Sequence, residues 1–129
     1  MCNIIDIIRS ADKTIVLIDD YVDEQALKIL SYKKDHVSVK VYSRNSFFAN
    51  MRNVKRRITF RAGFDYIVTS EFSDRYLLID GKNLYILSGS LRRTGKRGNF
   101  AVRIFGYEEV KRMLYRMENI EKLKVRYII

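Results

Sequence analysis

The sequence predicts an α/β fold with a central mixed β-sheet flanked by helices. Within the first 42 residues, a strand, a helix and a second strand follow one another, which implies a parallel pair joined by a right-handed crossover. Further along, Asp80-Gly81 separates two apolar runs and is a strong hairpin signal, so an antiparallel pair is expected too. A sheet that contains both kinds of pair is mixed.

The elements of the first half follow from the spacing of apolar residues. Asn3–Ala11 carries isoleucines at helical spacing and predicts a short amphipathic helix. Thr14–Ile18 is a short, continuous β-branched run, typical of a strand buried on both faces. Residues 23–33 return to helical spacing behind two acidic residues that suit a helix start. Val37–Tyr42 alternates apolar and polar residues, so we expect a half-exposed strand there.

The second half of the chain alternates between the same two patterns. Helices are predicted over Ser46–Arg57 and Tyr107–Met117, and the polar, basic stretch at residues 91–98 predicts a loop. Strands are predicted at Phe64–Thr69, Tyr76–Ile79, Leu84–Leu87, Phe100–Phe105 and Lys122–Ile129. Four phenylalanines are expected in the core, namely Phe47, Phe48, Phe100 and Phe105. Tyr42, Tyr66 and Tyr76 are compatible with either the core or a base-stacking surface.

Composition predicts one domain over residues 1–129, because the chain has no proline and no Ser/Gly-rich linker. Cys2 is the only cysteine, which excludes an internal disulfide and favours a reducing, cytoplasmic setting. No apolar run approaches the ~18 residues of a membrane span, and we expect no signal peptide. Neither zinc-type Cys/His spacing nor a phosphate-cradling Gly motif is present, so we expect no metal and no cofactor.

The charge of the chain indicates an anionic partner. The formal net charge is +10, and nucleic acid is the polyanion we expect first, with an anionic membrane surface second. One basic cluster lies in the predicted helix Ser46–Arg57 and the residues just after it: Arg52, Lys55, Arg56, Arg57 and Arg61. Such a run of charges suits a solvated face as well as a binding face. The other cluster lies in the predicted loop and favours phosphate capture: Arg92, Arg93, Lys96 and Arg97.

One short constellation carries candidate chemistry. Ser73 is followed two residues later by Arg75 and five residues further by Asp80. If Ser73–Ile79 forms a strand, Ser73 and Arg75 lie on the same face, where a hydroxyl and a guanidinium suit a phosphate. Ser90 ends the next predicted strand, where its donors could reach the same anion. Arg75 paired with Asp80 or Asp74 as a structural ion pair, and Asp80 as a turn residue, remain alternatives.

These residues resemble the His-x-Lys-(x)4-Asp signature of the phospholipase D superfamily, followed by a Gly/Ser element. The chain is similar above all to a branch in phage and mobile-element proteins. There the segment reads roughly His-Asp-Arg-Phe-Leu-Ile-Ile-Asp, then a hairpin and Gly-x-Ser-Leu-x-x-x-Gly-Lys. This sequence supplies DRYLLID at residues 74–80 and SGSLRRTGK at residues 88–96. The resemblance covers roughly residues 10–105 and implies a phospholipase D-like half-domain.

The resemblance also implies an assembly and a mechanism. Sites of this superfamily combine two halves, so a chain with one half implies a homodimer. One histidine attacks the phosphorus, a second protonates the leaving group, and no metal is needed. Here Ser73 stands at the histidine position, and a serine hydroxyl is a poor nucleophile near neutral pH without a base. The single histidine, His36, does not match the motif.

We therefore predict a catalytically impaired phospholipase D-like homodimer that binds phosphodiesters, with DNA favoured. Arg75 and Ser90 are the expected phosphate ligands, Ser73 and Asp80 the remaining motif positions, and the residue 92–97 loop the source of electrostatic capture. Two alternatives stay open. One is an active, metal-independent nuclease or phosphodiesterase with an unusual nucleophile. The other is a non-catalytic dimerisation module of a mobile-element regulator.

Overall fold

A computed structural model of the chain describes residues 3–45, 62–91, 94, 99–121 and 126–128. Three helices are present in these ranges: α1 (Ile4–Ser10), α2 (Glu24–Leu30) and α3 (Tyr107–Glu121). Seven strands are present: β1 (Thr14–Ile18), β2 (Ser38–Ser43), β3 (Phe64–Val68), β4 (Tyr76–Ile79), β5 (Asn83–Leu87), β6 (Ala101–Ile104) and β7 (Arg126–Ile128). They form one mixed sheet in the order β6-β5-β4-β1-β2-β3-β7. The predicted α/β class is confirmed.

The parallel part of the sheet is formed by β1, β2 and β3. Thr14 of β1 pairs with Ser38 of β2, and Ile18 pairs with Tyr42, so the two strands begin and end together. Polar residues that follow these strands therefore meet at one edge, which we call the carboxyl edge. On its other side β1 pairs antiparallel with β4, and Ile18 lies opposite Tyr76. The first residue of β4 therefore lies at the carboxyl edge.

Both faces of the sheet carry an apolar layer, which explains the continuous apolar run of β1. On one face, Ile15 and Leu17 belong to a buried cluster with residues of α1 and α2. On the other face, Ile18 joins a second cluster with Val110 and Met117 of α3. Since successive strand residues point to opposite faces, one strand serves both clusters. The prediction that Thr14–Ile18 is buried on both sides is confirmed.

Local capping and turn chemistry place the ends of these elements. The side chain of Asn3 accepts a hydrogen bond from the backbone N–H of Asp6 at the start of α1, and Asp23 accepts one from Ala26 at the start of α2. Asp80 and Gly81 have φ values of +56° and +70°, and the N–H of Lys82 donates to the carbonyl of Ile79. These two positive φ angles and this hydrogen bond form a tight turn between the antiparallel strands β4 and β5, so the predicted hairpin is confirmed.

Several sequence predictions need correction. Phe100 and Phe105 are 36% and 82% exposed, so neither lies in the core. They flank β6, which pairs only with β5 among the described strands, and the Arg103 guanidinium lies 4.8 Å from the Phe105 ring. Val37–Tyr42 was predicted half-exposed, but Tyr42 is buried because α3 covers that face. The helix over Ser46–Arg57 falls outside the described residues, as do Phe47 and Phe48.

The strand predicted over Tyr76–Ile79 is confirmed as β4, and it does not include Ser73, so the condition under which Ser73 and Arg75 would share one face of a strand is not met. β4 begins at Tyr76, opposite the last residue of β1, so Ser73 lies beyond the end of this pairing.

Among the described helices, none is long and apolar enough to cross a membrane.

Candidate functional site

The candidate site lies at the carboxyl edge, where β1 ends beside β4 and β5. Asp19 and Asp20 directly follow β1, and Arg75 directly precedes β4. Ile86 of β5 pairs with Tyr76, and the N–H of Leu87 donates to the carbonyl of Arg75. The loop that leaves β5 therefore begins at the same edge. The pairing register thus brings three separate segments of the chain to one place.

Asp19 is the centre of the site, and its side chain has no exposed surface. The Ser90 hydroxyl lies 2.9 Å from both carboxylate oxygens and donates to them, and the N–H of Leu91 donates at 2.7 Å. The N–H of Tyr21 donates at 3.3 Å. Asp19 thus joins the end of β1 to the segment that follows β5.

Burial changes the protonation of Asp19. Loss of water around the carboxyl, with the neighbouring Asp20 carboxyl acting in the same direction, raises the pKa of Asp19 to about 6. The hydrogen bonds from Leu91 and Ser90 act against this rise. A raised pKa means that the folded chain holds the Asp19 proton more tightly than the unfolded chain. This contribution to stability is complete below pH 3.8 and disappears as the pH rises through about 6.

Arg75 makes a two-pronged ion pair with Asp20. Its Nε lies 2.9 Å from Asp20 Oδ1, and its Nη2 lies 3.1 Å from Asp20 Oδ2. Asp19 Oδ1 is further away, at 3.7 Å from Nε. Partial burial acts to raise the pKa of Asp20, but the hydrogen bond to Asp19 and the Arg75 guanidinium outweigh it and lower the pKa. Arg75 is thus in an ion pair, as one alternative proposed, but its partner is Asp20 rather than Asp80 or Asp74.

Ser90 is buried, at 4% exposure, and lies shortly before the basic residues in the sequence. Besides Asp19, the carbonyl of Tyr21 lies 2.8 Å from its hydroxyl, and the side chain of Asn99 donates to its own carbonyl at 3.2 Å. For Ser90 to bind a phosphate, its hydroxyl would have to leave Asp19. The four loop cations Arg92, Arg93, Lys96 and Arg97 lie outside the described residues.

Ser73 and His36 lie at opposite ends of the sheet. Ser73 is exposed and precedes Arg75 at the carboxyl edge. His36 is exposed and precedes β2, whose first residue pairs with Thr14 at the start of β1. The four residue steps between the two ends of β1 span about 13 Å. His36 therefore cannot act on Ser73 of the same chain.

Asp80 also lies at the opposite end of the sheet and stabilises the backbone there. Its carboxylate accepts hydrogen bonds from the N–H groups of Asp12, Lys13 and Thr14 at 2.7 to 3.1 Å. Partial burial acts to raise the pKa of Asp80, but these three donors lower it overall. Its role is to join the β4–β5 hairpin to the start of β1.

A network of polar side chains near the ends of β2 and β3 stabilises the segment that follows β1. Asn45 Oδ1 accepts hydrogen bonds from the N–H of Val22 at 3.0 Å and from the Ser43 hydroxyl at 2.6 Å. The buried Tyr66 hydroxyl donates to the carbonyl of Asn45 at 2.8 Å. Burial raises the pKa of Tyr66 to about 12, so the phenol stays protonated and remains a donor. The network holds the turn after β1 that carries Asp19 and Asp20.

Sequence reasoning identified Arg75 and Ser90 but missed their carboxylate partners. Asp19 and Asp20 were read only as the end of a strand. The signal that could have found them is their position directly after a buried parallel strand, where site residues of open α/β sheets collect.

Two other features of the described chain do not form part of this site. No group of three or more metal-ligating side chains is found among the described residues. A cavity of about 470 Å³ opens between α3 and the sheet, but Thr14, Ser38 and Gly63 in its lining place it at the starts of the parallel strands.

Comparison with known proteins gives a fold but no sequence relative. No protein-family model matches the chain, and no curated protein matches its sequence. Nuc from Salmonella typhimurium, a phospholipase D family member, is similar with a TM-score of 0.67 and 16% identity over 96% of this chain and 88% of Nuc. NucT from Helicobacter pylori is similar with a TM-score of 0.65 and 8% identity over 96% of this chain and 88% of NucT.

A third similar structure is TrmBL2, an archaeal chromatin protein described as showing a novel mode of DNA binding. Its TM-score is 0.57 and its identity 14%, over 93% of this chain and 47% of TrmBL2. The chain therefore has the fold of a phospholipase D-like half-domain, as the motif predicted.

Proposed function

We propose that this chain is a phospholipase D-like domain that binds the phosphodiesters of nucleic acid, with DNA favoured, and does not hydrolyse them efficiently. The observation that carries the proposal is Ser73 at the position of the family nucleophile. The chain has one histidine in all, and His36 lies at the other end of the sheet. No imidazole of the same chain can therefore attack, or activate the hydroxyl that stands in its place.

Asp19, the described carboxyl whose pKa is raised, does not supply the missing base. Asp19 is buried and accepts hydrogen bonds from Leu91 and Ser90, which hold it in place. A general base must come within hydrogen-bond reach of the proton that it removes. Asp19 instead serves to position the segment after β5, and Ser73 has the ordinary low reactivity of a serine hydroxyl.

Nucleic-acid binding is supported by the net charge of the chain and by the position of Ser90 and Leu91. The net charge of +10 favours a polyanion. Ser90 and Leu91, which directly precede Arg92 in the sequence, are hydrogen-bonded to Asp19 at the same edge as Arg75. Arg75 is the described cation of the motif that resembles the phospholipase D signature, and its side chain is 32% exposed. The similarity in fold to a chromatin protein with a described mode of DNA binding favours DNA as the ligand.

The proposal predicts DNA binding that weakens steeply with salt. If about four to six cations contact phosphates, log K against log salt has a slope of about −3.6 to −5.4, at about 0.9 per phosphate. Replacing Arg92, Arg93, Lys96 and Arg97 by Ala is expected to flatten that slope by about 3.6, as measured by fluorescence anisotropy with a labelled duplex.

A matched control removes the same number of charges from exposed positions at the far end of the sheet: Lys13, Lys28, Lys34 and Lys82. We expect this variant to keep a slope close to that of the wild type. Equal slopes in the loop variant and the wild type would contradict the loop as the phosphate-binding element. Absence of binding at ~50 mM salt would contradict the proposed function itself.

The second part of the proposal is a homodimer. The family resemblance implies a site built from two halves, and a chain with one half would complete it with a second copy across a two-fold axis. Light scattering is expected to give twice the chain mass of 15.3 kDa at the concentration used for binding. A monomer mass at that concentration would refute the composite site.

A further inference from the structure

The cation expected to bind phosphate already holds an anion from its own chain. Asp20 offers two carboxylate oxygens to Arg75, at 2.9 Å from Nε and 3.1 Å from Nη2. This is the fork-shaped arrangement by which a guanidinium also binds two oxygens of a phosphate. A phosphodiester that docks on this edge of Arg75 must therefore replace Asp20.

We propose that Asp20 is an internal competitor for Arg75, so that phosphodiester binding at this site requires the Arg75–Asp20 pair to open. The inference rests on the proposed function and names Asp20 as the residue that weakens phosphodiester binding at Arg75. Asp20 belongs to the same folded chain as Arg75, so its carboxylate has a high effective concentration at the guanidinium compared with a free ligand. The wild-type site is then weaker for phosphate than the same site without the Asp20 charge.

The exposure of the two partners allows this exchange. The side chains of Arg75 and Asp20 are 32% and 41% exposed, so solvent and ligand reach both of them. Ion pairs at such positions contribute little to stability, because water screens them and competes for their hydrogen bonds. Opening the pair is therefore compatible with an intact fold.

Asp19 is not equivalent to Asp20. Its side chain is fully buried, it accepts hydrogen bonds from Leu91 and Ser90, and it lies 3.7 Å from Arg75 Nε. Removing Asp19 would disconnect the segment after β5 as well as changing the charge. Asp20 is therefore the residue whose substitution tests competition without dismantling the site.

The experiment compares Asp20→Asn with Asp12→Asn on the same labelled duplex. Both substitutions remove one negative charge, but Asp12 is exposed at the other end of the sheet and pairs with Lys34. We expect Asp20→Asn to bind about three- to tenfold more tightly than Asp12→Asn, with a salt slope steeper by about one. Equal affinities of the two variants would overturn the proposal.

A second arm shows that the gain acts through Arg75. In an Arg75→Gln background, Asp20→Asn is expected to give no tighter binding than Asp12→Asn does in that background. A gain of the same size there would overturn the proposal. Thermal melting of every variant verifies that the compared proteins are folded.

A third arm separates this inference from DNA binding. Dimethyl phosphate is titrated while the NMR resonance of Arg75 Nε–H is followed in the wild type and in Asp20→Asn. A larger or earlier shift in the variant supports competition, and identical titrations overturn it. Wild type that fails to bind duplex DNA would refute the proposed function, whereas this titration judges the role of Asp20 separately.

Discussion

Replacing Ser73 by His is expected to raise phosphodiester hydrolysis by about 10²–10⁴-fold over the wild type, the range that a positioned acid or base contributes. Imidazole suits both roles in this reaction because its pKa lies near neutrality. Unprotonated, it can attack phosphorus; protonated, on the other half-site, it can give its proton to the leaving oxygen. Arg75 remains available to stabilise developing charge once it is free of Asp20.

The assay compares wild type, Ser73→His and Ser73→Ala on a bis-aryl phosphodiester and on plasmid DNA, with a chelator present. Ser73→Ala is the matched control, because it changes the same exposed position without adding an imidazole. Three equally inactive proteins would contradict the conservation of site geometry. The double variant Ser73→His with Asp20→Asn is expected to be more active still if Asp20 restrains Arg75.

Replacing Asp80 by Ala is expected to lower the free energy of unfolding by roughly 2–3 kcal/mol. The carboxylate accepts hydrogen bonds from the backbone N–H groups of residues 12, 13 and 14, as a helix N-cap does. Alanine removes that acceptor. It also places a Cβ-bearing residue without a compensating side chain at φ +56°, a left-handed conformation that Asn and Asp tolerate better. Urea denaturation measures the loss.

Asp80→Asn is the control for this prediction, because asparagine keeps one acceptor oxygen and tolerates the left-handed backbone. We expect it to lose less stability than Asp80→Ala. The lowered pKa of Asp80 fixes the pH dependence: the ionised carboxylate stabilises the fold above pH 3.8, and this contribution disappears as the pH falls through the folded-state pKa. A stability gap between wild type and Asp80→Asn that grew in acid would contradict this role.

The sequence predicted the fold well where pattern and local chemistry agree. Thr14–Ile18 could only be a strand covered on both faces, and Asp80-Gly81 could supply the two positive φ angles of a tight hairpin. The phospholipase D-like fold was implied by the resemblance of residues 74–80 and 88–96 to the motif of that superfamily. These features depend on residues that are close in sequence or on a motif read as a unit.

The sequence was least informative where contacts between distant segments determine strand ends, burial and ion pairs. Whether Ser73 shares a strand face with Arg75 depends on pairing, and β4 begins only at Tyr76, where its partner β1 ends. Phe105 is apolar but follows the last residue of β6, where no described strand or helix covers it, and it packs against Arg103 instead. The pairing of Arg75 with Asp20 joins residues 55 positions apart, and only the register of β1 against β4 brings them together.

The central claim is that this half-site binds a phosphodiester and leaves it intact. The most direct measurement follows one labelled DNA duplex in one preparation of the wild-type protein, recording fluorescence anisotropy for binding and gel-resolved product for cleavage, with a chelator present. We expect saturable, salt-sensitive binding and no product above that of a protein-free sample. Turnover by the wild type that Ser73→Ala abolishes would contradict it and establish Ser73 as a working nucleophile.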